Sequence, residues 1–294
     1  MKFAAPETRV RSWHVWLLVW RVHRWTAFVF GALITLLSAT GSLLVLHHEL
    51  ERAIEPERHL VRDDTPDAPM QPLAKLTAMI SDYAPSDFRL FRILPAHDAR
   101  STHKFLFLGP DQKTRWAAFV EPASGEIRWT GPDQRLLSPW LLHLHMQLQL
   151  GRVGYYITGA AGAALTLLAL SGLYLHRERL TALWRHPFRL HLGWRVALAD
   201  LHKWIGVFTL YFPLMLGITG TLYVWVSLAA KPAAPAAITL QPTELPALEP
   251  LRDEALRRLP DAEVLRFQFP ADANGVITLL LLHRDNPPWQ KFSR

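Results

Sequence analysis

The chain has 294 residues, half of them hydrophobic, with 32 Lys and Arg against 25 Asp and Glu. This composition is too apolar for an ordinary soluble domain, so it favours membrane spans joined to extramembrane domains. Cysteine is absent, which excludes disulfides and thiolate metal sites, whereas the 14 histidines leave imidazole as the plentiful metal ligand. The positive charges lie beside apolar stretches rather than in one patch, so they indicate orientation in a membrane and not nucleic-acid binding.

The first long apolar run spans residues 23–50. The segment from Trp25 to Leu46 contains 22 residues without a charge, and about 33 Å of helix is enough to cross the hydrocarbon core of a bilayer. The sequence therefore predicts a transmembrane helix, preceded by an interfacial amphipathic segment over residues 1–22. Histidines stand at both ends of the run, and ionisable groups at such positions tend to be functional.

A polar segment over residues 51–140 follows the first span. Its patterns predict a small α+β domain with one helix and several strands. The helix is predicted over residues 71–81, and the strands over residues 88–94, 104–108 and 115–120.

A second apolar run predicts a transmembrane helix over residues 141–176. It contains a stretch rich in glycine and alanine at residues 159–164, which is typical of close helix packing in membranes. His143 and His145 precede the apolar part and His176 ends it.

The segment over residues 177–201 is short and rich in arginine, so the positive-inside rule predicts that it is a cytoplasmic loop. The arginine-bearing N-terminus then lies on the same side, as two intervening spans require. A third span is predicted over residues 202–228. The segments at residues 51–140 and 229–294 consequently lie outside.

The third span repeats the first. HRWTAFVF from His23 aligns with HKWIGVFT from His202, and a Thr-Gly pair follows 17 residues later in each, at Thr40-Gly41 and Thr219-Gly220. Since 18 residues make about five helical turns, each histidine is expected on the same helix face as its glycine. The following polar segments also align, which indicates duplication of a unit containing an outward helix, an external domain and a returning helix. The second unit lacks its returning helix, so either the chain is truncated or a fourth helix has been lost. We expect truncation, because the last domain ends in mid-pattern.

The histidines at matched depths could provide axial ligands for haem between helices. On the inner side His23 and His202 occupy equivalent repeat positions, with His176 as a third candidate. On the outer side the candidates are His47, His48, His143 and His145, with His48 preferred over His47 because His47 is about 120° from the face of His23. His48 lies 25 residues after His23, about 20° from the same face of a continuous helix.

The chain contains several motifs whose order and spacing resemble those of the PepSY-associated transmembrane family. Members of that family include ferric-siderophore reductases of the bacterial inner membrane that carry haem b. The motifs are His23-Arg24-Trp25, Thr40-Gly41, His48-Glu49-Leu50, Leu144-His145-x-x-Leu148-x-x-Gly151-x-x-Gly154, Ser171-Gly172-Leu173 and Leu201-His202-Lys203-Trp204. The resemblance implies periplasmic PepSY domains, each a helix on a small antiparallel sheet, and prefers His145 over His143. The family commonly has a fourth helix that opens with Leu-His, so the second ligand of an outer haem is either His48 or a histidine absent from this chain.

The resemblance therefore implies an inner-membrane oxidoreductase with one or two haem b groups that reduces a periplasmic ferric complex such as a ferric siderophore. The sequence has no glycine-rich dinucleotide fingerprint, so the electron donor is expected to be a separate cytoplasmic protein or a quinol. The alternative from another class is a haem-free membrane-anchored PepSY module that binds peptides or regulates a peptidase. The scattered external histidines are expected to be surface residues: His59, His97, His103 and His283.

Overall fold

The computed structural model describes residues 6–61, 69–96, 98, 100–177, 189–229, 248–270 and 276–283. The chain divides into two compact units. One contains Met1–Ser42 and Leu142–Lys231, and the other contains Leu43–Leu141 and Pro232–Arg294. We refer to them as the helical unit and the sheet unit.

Each unit is made of two separate stretches of the chain, so the chain passes through the helical unit, the sheet unit, the helical unit again and the sheet unit again. In chain order the elements are α1 (Pro6–Val45), α2 (His47–Ile54), α3 (Pro56–His59), α4 (Leu73–Ser81), β1 (Arg89–Leu94), β2 (His103–Leu108), β3 (Arg115–Val120), β4 (Ile127–Pro132), α5 (Leu137–Gln147), α6 (Arg152–His176), α7 (Trp194–Phe208), α8 (Tyr211–Ala229), α9 (Leu248–Arg258), β5 (Ala262–Gln268) and β6 (Thr278–His283).

Three helices in the described part of the chain are long and apolar enough to cross a membrane: Trp13–Val45 within α1, all of α6, and α8. Many of their large apolar side chains are exposed, for example Phe28 at 78% and Val226 at 68%. Exposure of this kind is costly in water and favourable in lipid. Three apolar helices of membrane-spanning length are therefore confirmed, but the predicted starts of the second and third spans are wrong: the second begins at Arg152 rather than at residue 141, and the third at Tyr211 rather than at residue 202, because a turn separates each from the helix before it.

Helix α1 differs from the expected separation into an amphipathic segment and a span. It continues without interruption over 40 residues, which corresponds to about 60 Å, or twice the thickness of a hydrocarbon core. It ends at Val45, and Leu46 adopts a turn before α2 begins at His47. The helix therefore begins earlier and ends earlier than residues 23–50.

Small residues allow α6 and α8 to pack closely. A Cβ added to Gly162 would lie 2.6 Å from the hydroxyl of Thr221, and one added to Gly159 would lie 2.9 Å from Val224. Buried positions on α6 are small throughout, including Ala161 and Ala164. Without a hydrophobic driving force between helices in lipid, such close approach supplies the packing energy.

The described strands of the sheet unit form one antiparallel sheet with the order β4-β3-β2-β1-β5-β6. The helix and the three strands predicted from residues 71–120 are present with ends shifted by one or two residues. Strand β4 was not predicted, because its sequence IRWTGP contains both glycine and proline, which weaken a strand pattern.

The two polar segments, predicted as separate domains with a sheet each, share this single sheet. β1 from the first segment pairs with β5 from the second, with Ile93 opposite Phe267. Both side chains are fully buried. The expected arrangement of two separate sheets is wrong. In two separate sheets, β1 and β5 would each have an unpaired apolar edge, and pairing them with each other removes both edges.

One face of the sheet carries the helices α4 and α9, which occupy equivalent positions in the repeat. Leu76 and Ile80 of α4 and Leu248 of α9 are fully buried with Phe105 and Phe267 of the sheet. The duplicated helix-strand pattern in the sequence thus corresponds to a duplicated helix-strand packing.

His103 was expected at the surface, but it is only 4% exposed. Its Nδ1 accepts a hydrogen bond from the backbone N–H of Ala96 at 2.8 Å. Burial lowers the pKa of His103 to about 4. His59 is half-buried, and burial likewise lowers its pKa to about 4. His97 and the side chain of His283 lie outside the described residues.

We predict that the ring of His103 stays neutral down to about pH 5. Between pH 6.5 and pH 4 the unfolded chain binds a proton that folded His103 does not, so the free energy of unfolding falls as the pH decreases, by about 3 kcal/mol from this residue. NMR titration of labelled histidine rings, with the resonance assigned by its loss in His103→Gln, measures the pKa. A ring that titrates near 6.5 would contradict the burial argument.

Candidate functional site

His23 of α1 and His202 of α7 lie side by side in the helical unit. Their ring centroids are 6.4 Å apart, and the ring planes make an angle of 64°. The two residues are separated by 179 positions in sequence but hold equivalent positions in the repeat. The geometry brings together the pair that the repeat singled out.

The ring of His23 is held by α6. Its Nδ1 lies 2.8 Å from the hydroxyl oxygen of Ser171, and a Cβ added to Gly172 would lie 3.4 Å from its Cε1. The hydroxyl provides a polar partner and the glycine provides the room beside it. Ser171-Gly172 is part of a motif recognised in the sequence, but the sequence did not predict its contact with His23.

The hydroxyl of Ser171 determines which nitrogen of His23 carries the proton. Ser171 has one hydroxyl proton, and its oxygen lies 2.6 Å from the backbone carbonyl of Leu167. A carbonyl only accepts, so the hydroxyl donates there and must accept from His23. Nδ1 of His23 is then protonated, which leaves Nε2 with the free lone pair that a metal requires.

His145 of α5 has the same surroundings on α1. Its Nδ1 lies 3.0 Å from the hydroxyl oxygen of Thr40, and a Cβ added to Gly41 would lie 3.0 Å from its Cε1. Thr40 also donates to the carbonyls of Leu36 and Leu37, at 2.9 and 3.1 Å. The same proton count assigns the free lone pair of His145 to Nε2.

A sharp turn between α5 and α6 places His145 against α1. Leu148, Gln149 and Gly151 have positive φ angles of 51°, 58° and 58°, which cost energy for the two residues with side chains. Gly154 packs against the backbone of Gln147 so closely that a Cβ would overlap its carbonyl. The glycines of the quoted motif therefore have a structural role, since they make the turn that positions the histidine.

His202 lies on α7, which is anchored by an ion-pair network near its middle. Arg189 donates two hydrogen bonds to the buried Asp200, at 2.8 and 2.7 Å, and Lys203 contributes a third at 3.3 Å. These partners hold the pKa of Asp200 well below its usual range. The predicted loop over residues 177–201 is thus partly helical.

The expected shared face of His202 and Gly220 is wrong. The helix ends at Phe208 and a new one begins at Tyr211, so helical phase does not continue between the two residues. Pro213 explains the interruption, because its ring would clash with the carbonyl four residues earlier, that of Thr209. A Cβ added to Gly220 would meet no atom within 4 Å, in contrast to Gly41.

The remaining candidates are His48, His143 and His176. The argument that placed His48 on the face of His23 is wrong, because the helix is interrupted at Leu46. His48 belongs to the sheet unit and its ring centroid lies 4.0 Å from that of His47. His143 is half-buried on α5, and His176 is the last residue of α6. Their roles as ligands stay predictions.

The spacing of His23 and His202 fits haem iron. Bonds between a metal and an imidazole nitrogen are about 2 Å long, so two rings on opposite sides of one iron have centroids about 6 to 6.5 Å apart. The observed 6.4 Å lies in that range. The described residues contain no cluster of three or more His, Asp or Glu that could hold a bare metal ion, and haem needs only two axial ligands.

Ser171→Ala should weaken the preference of His23 for a proton on Nδ1, because the acceptor hydroxyl is lost while the carbonyl of Leu168 remains as an acceptor for the ring. Nitrogen-15 NMR of histidine-labelled protein reports the tautomer, with the resonance assigned by its absence in His23→Gln. Ser171→Thr should restore the preference. Ser42→Ala is a control, since Ser42 is exposed and bonds only the carbonyl of Ser38. An unchanged His23 signal in Ser171→Ala would contradict the tautomer assignment.

Comparison with known proteins gives two findings. Residues 20–291 match the family described as "PepSY-associated TM region". A stretch of 107 residues is 37% identical to an uncharacterized protein of Pseudomonas aeruginosa, which corresponds to 36% of this chain and 26% of the relative. The chain therefore aligns with about a quarter of that relative's length.

Proposed function

The chain belongs to the family of PepSY-associated transmembrane regions, and from that premise we propose that it is a haem-b-containing oxidoreductase of the bacterial inner membrane. It passes electrons across the membrane to reduce a periplasmic ferric complex, with a ferric siderophore as the substrate class. The observation that carries this proposal is the 6.4 Å separation between the rings of His23 and His202.

Haem, when bound, supplies one-electron redox chemistry at a buried iron. His23 and His202 would hold the haem on the cytoplasmic side, and the hydrogen bond between Nδ1 of His23 and Ser171 leaves Nε2 of His23 free for the iron. Ser171 orients the imidazole of His23 and keeps the proton on Nδ1. Fixed orientation of this kind is how outer-shell groups tune a metal ligand.

The outer side has one histidine that is prepared in the same way. Thr40 orients His145 and leaves its Nε2 free, so His145 is our first choice for a second haem. Its counterpart is His48 or a histidine that this chain does not supply, and the protein accordingly binds one or two haem groups. His143 and His176 are secondary candidates.

The proposed reaction transfers one electron from a separate cytoplasmic protein or a quinol to one ferric ion, which becomes ferrous. Hard oxygen donors hold ferric iron much more tightly than ferrous iron, so reduction loosens the metal from its chelator. The cytoplasmic N-terminus and the periplasmic location of the sheet unit rest on the distribution of arginine in the sequence.

We predict that the full chain, purified from haem-sufficient cells, has a Soret band and dithionite-sensitive α and β bands. His23→Ala and His202→Ala should each diminish or alter the contribution of the inner haem, since each removes one of the two imidazoles that would hold the iron. His14→Ala is the matched control, because His14 is exposed on the same helix as His23. A colourless wild-type protein would overturn the proposal and favour the haem-free peptide-binding module.

A second comparison tests the outer side. His145→Ala should alter the haem content or the absorption spectrum, whereas His143→Ala should leave both unchanged, because only His145 is held by a hydroxyl on α1. Both residues lie on the same short helix, so loss of helix would affect the two variants alike. Haem-to-protein ratios of the two variants measure the difference. Equal ratios would remove His145 from the ligand set.

A further inference from the structure

Two arginine side chains converge on one aromatic ring in the sheet unit. The guanidinium carbon of Arg92 lies 4.8 Å from the ring centroid of Phe91, and that of Arg115 lies 5.9 Å from the same centroid. Arg92 is on β1 and Arg115 on β3. Phe91 packs against the core cluster formed by Leu106 and its neighbours, on the opposite face of the sheet from α4 and α9.

A third arginine lies beside them on β5. Arg92 donates a hydrogen bond to Gln268 at 3.2 Å, and Arg266 precedes Gln268 by two positions, which places it on the same face of the strand. Burial lowers the pKa of Arg92, and the positive charges of Arg266 and Arg115 lower it further. Three guanidinium groups from both repeats therefore share one small area.

This area has more positive charge than its surroundings neutralise. Among the described residues none forms an ion pair with Arg92, Arg115 or Arg266. Asp133 acts on Arg92 only weakly, and its own ion pair is with Lys104 at 3.3 Å. The buried Nε of Arg92 has no hydrogen-bond partner within the described part of the chain.

Arginine cannot relieve such repulsion by losing its proton. Like charges near a protein surface repel one another, and a buried donor without a partner is also unfavourable. An anion with several oxygen atoms would remove both costs, because guanidinium groups bind carboxylates through paired hydrogen bonds.

We propose that Arg92, Arg115 and Arg266 form a binding site for an anionic, carboxylate-bearing chelate of ferric iron. This inference rests on the proposed function for its assignment to substrate, and it selects negatively charged chelates over neutral or cationic ones. Arg89 also has a buried Nε without a hydrogen-bond partner among the described residues, but two of its other donors bond the carbonyl of Pro270 and Gln112, each at 3.0 Å, so Arg89 is not assigned to the site.

The test uses gallium(III) citrate, which resembles ferric citrate in charge and coordination but accepts no electron. Calorimetric titration of the full chain in nanodiscs should show binding, and the double variant Arg92→Gln with Arg266→Gln should bind at least tenfold more weakly. Arg128→Gln is the matched control, because Arg128 lies on the same sheet and has its ion pair with Glu126. A folded double variant that binds gallium citrate as well as wild type overturns the site.

A second arm separates this inference from the proposed function. With ferric citrate as the oxidant of reduced haem, the double variant should raise KM with little change in kcat, and a cationic ferric chelate should show no such difference. The purified protein could lack haem and still bind gallium citrate in a way that requires the arginines. That result would support the anion site and overturn the proposed oxidoreductase function. If nanodiscs containing phosphatidylglycerol abolish citrate binding, the arginines serve lipid headgroups, and the chelate site is wrong.

Discussion

The helical unit depends on a reciprocal contact between α1 and the helix pair α5 and α6. α1 presents His23 to Ser171 beside Gly172 of α6, and α5, the short helix before α6, presents His145 to Thr40 beside Gly41 of α1. Each imidazole therefore lies against a hydroxyl and a glycine of the opposite partner. A polar group in lipid without a partner costs several kcal/mol, so this exchange both joins the helices and fixes the two rings. Each hydroxyl also donates to a backbone carbonyl of its own helix, which makes the orientation of the proton definite.

Some of this arrangement could be read from the sequence. The repeat was visible in aligned motifs, and it singled out His23 and His202, whose ring centroids the structure places 6.4 Å apart. The apolar spans and the first helix and strands of the sheet unit were also predicted, since their patterns are periodic. The contacts of His145 could not be predicted, because they depend on a left-handed backbone conformation at Leu148 and Gln149. Leucine and glutamine do not favour that conformation, so the sequence does not indicate it.

The failures have physical causes as well. His48 was predicted on the helix face of His23, and Gly220 on the helix face of His202. Both predictions require an uninterrupted helix between the two residues. Leu46 interrupts the first and the region before Pro213 interrupts the second. The single shared sheet was missed because pairing between β1 and β5 joins segments that are more than 150 residues apart in the chain, and nothing local specifies such pairing.

The central claim is that His23 and His202 bind one haem iron between them, and electron paramagnetic resonance of the oxidised full chain tests it most directly. Two imidazoles on one ferric iron give a low-spin signal, and ring planes held 64° apart should make that signal strongly anisotropic. The account predicts this low-spin spectrum, with its loss in His202→Ala. A high-spin ferric signal in the wild-type protein, or a low-spin signal that His202→Ala leaves unchanged, would contradict it.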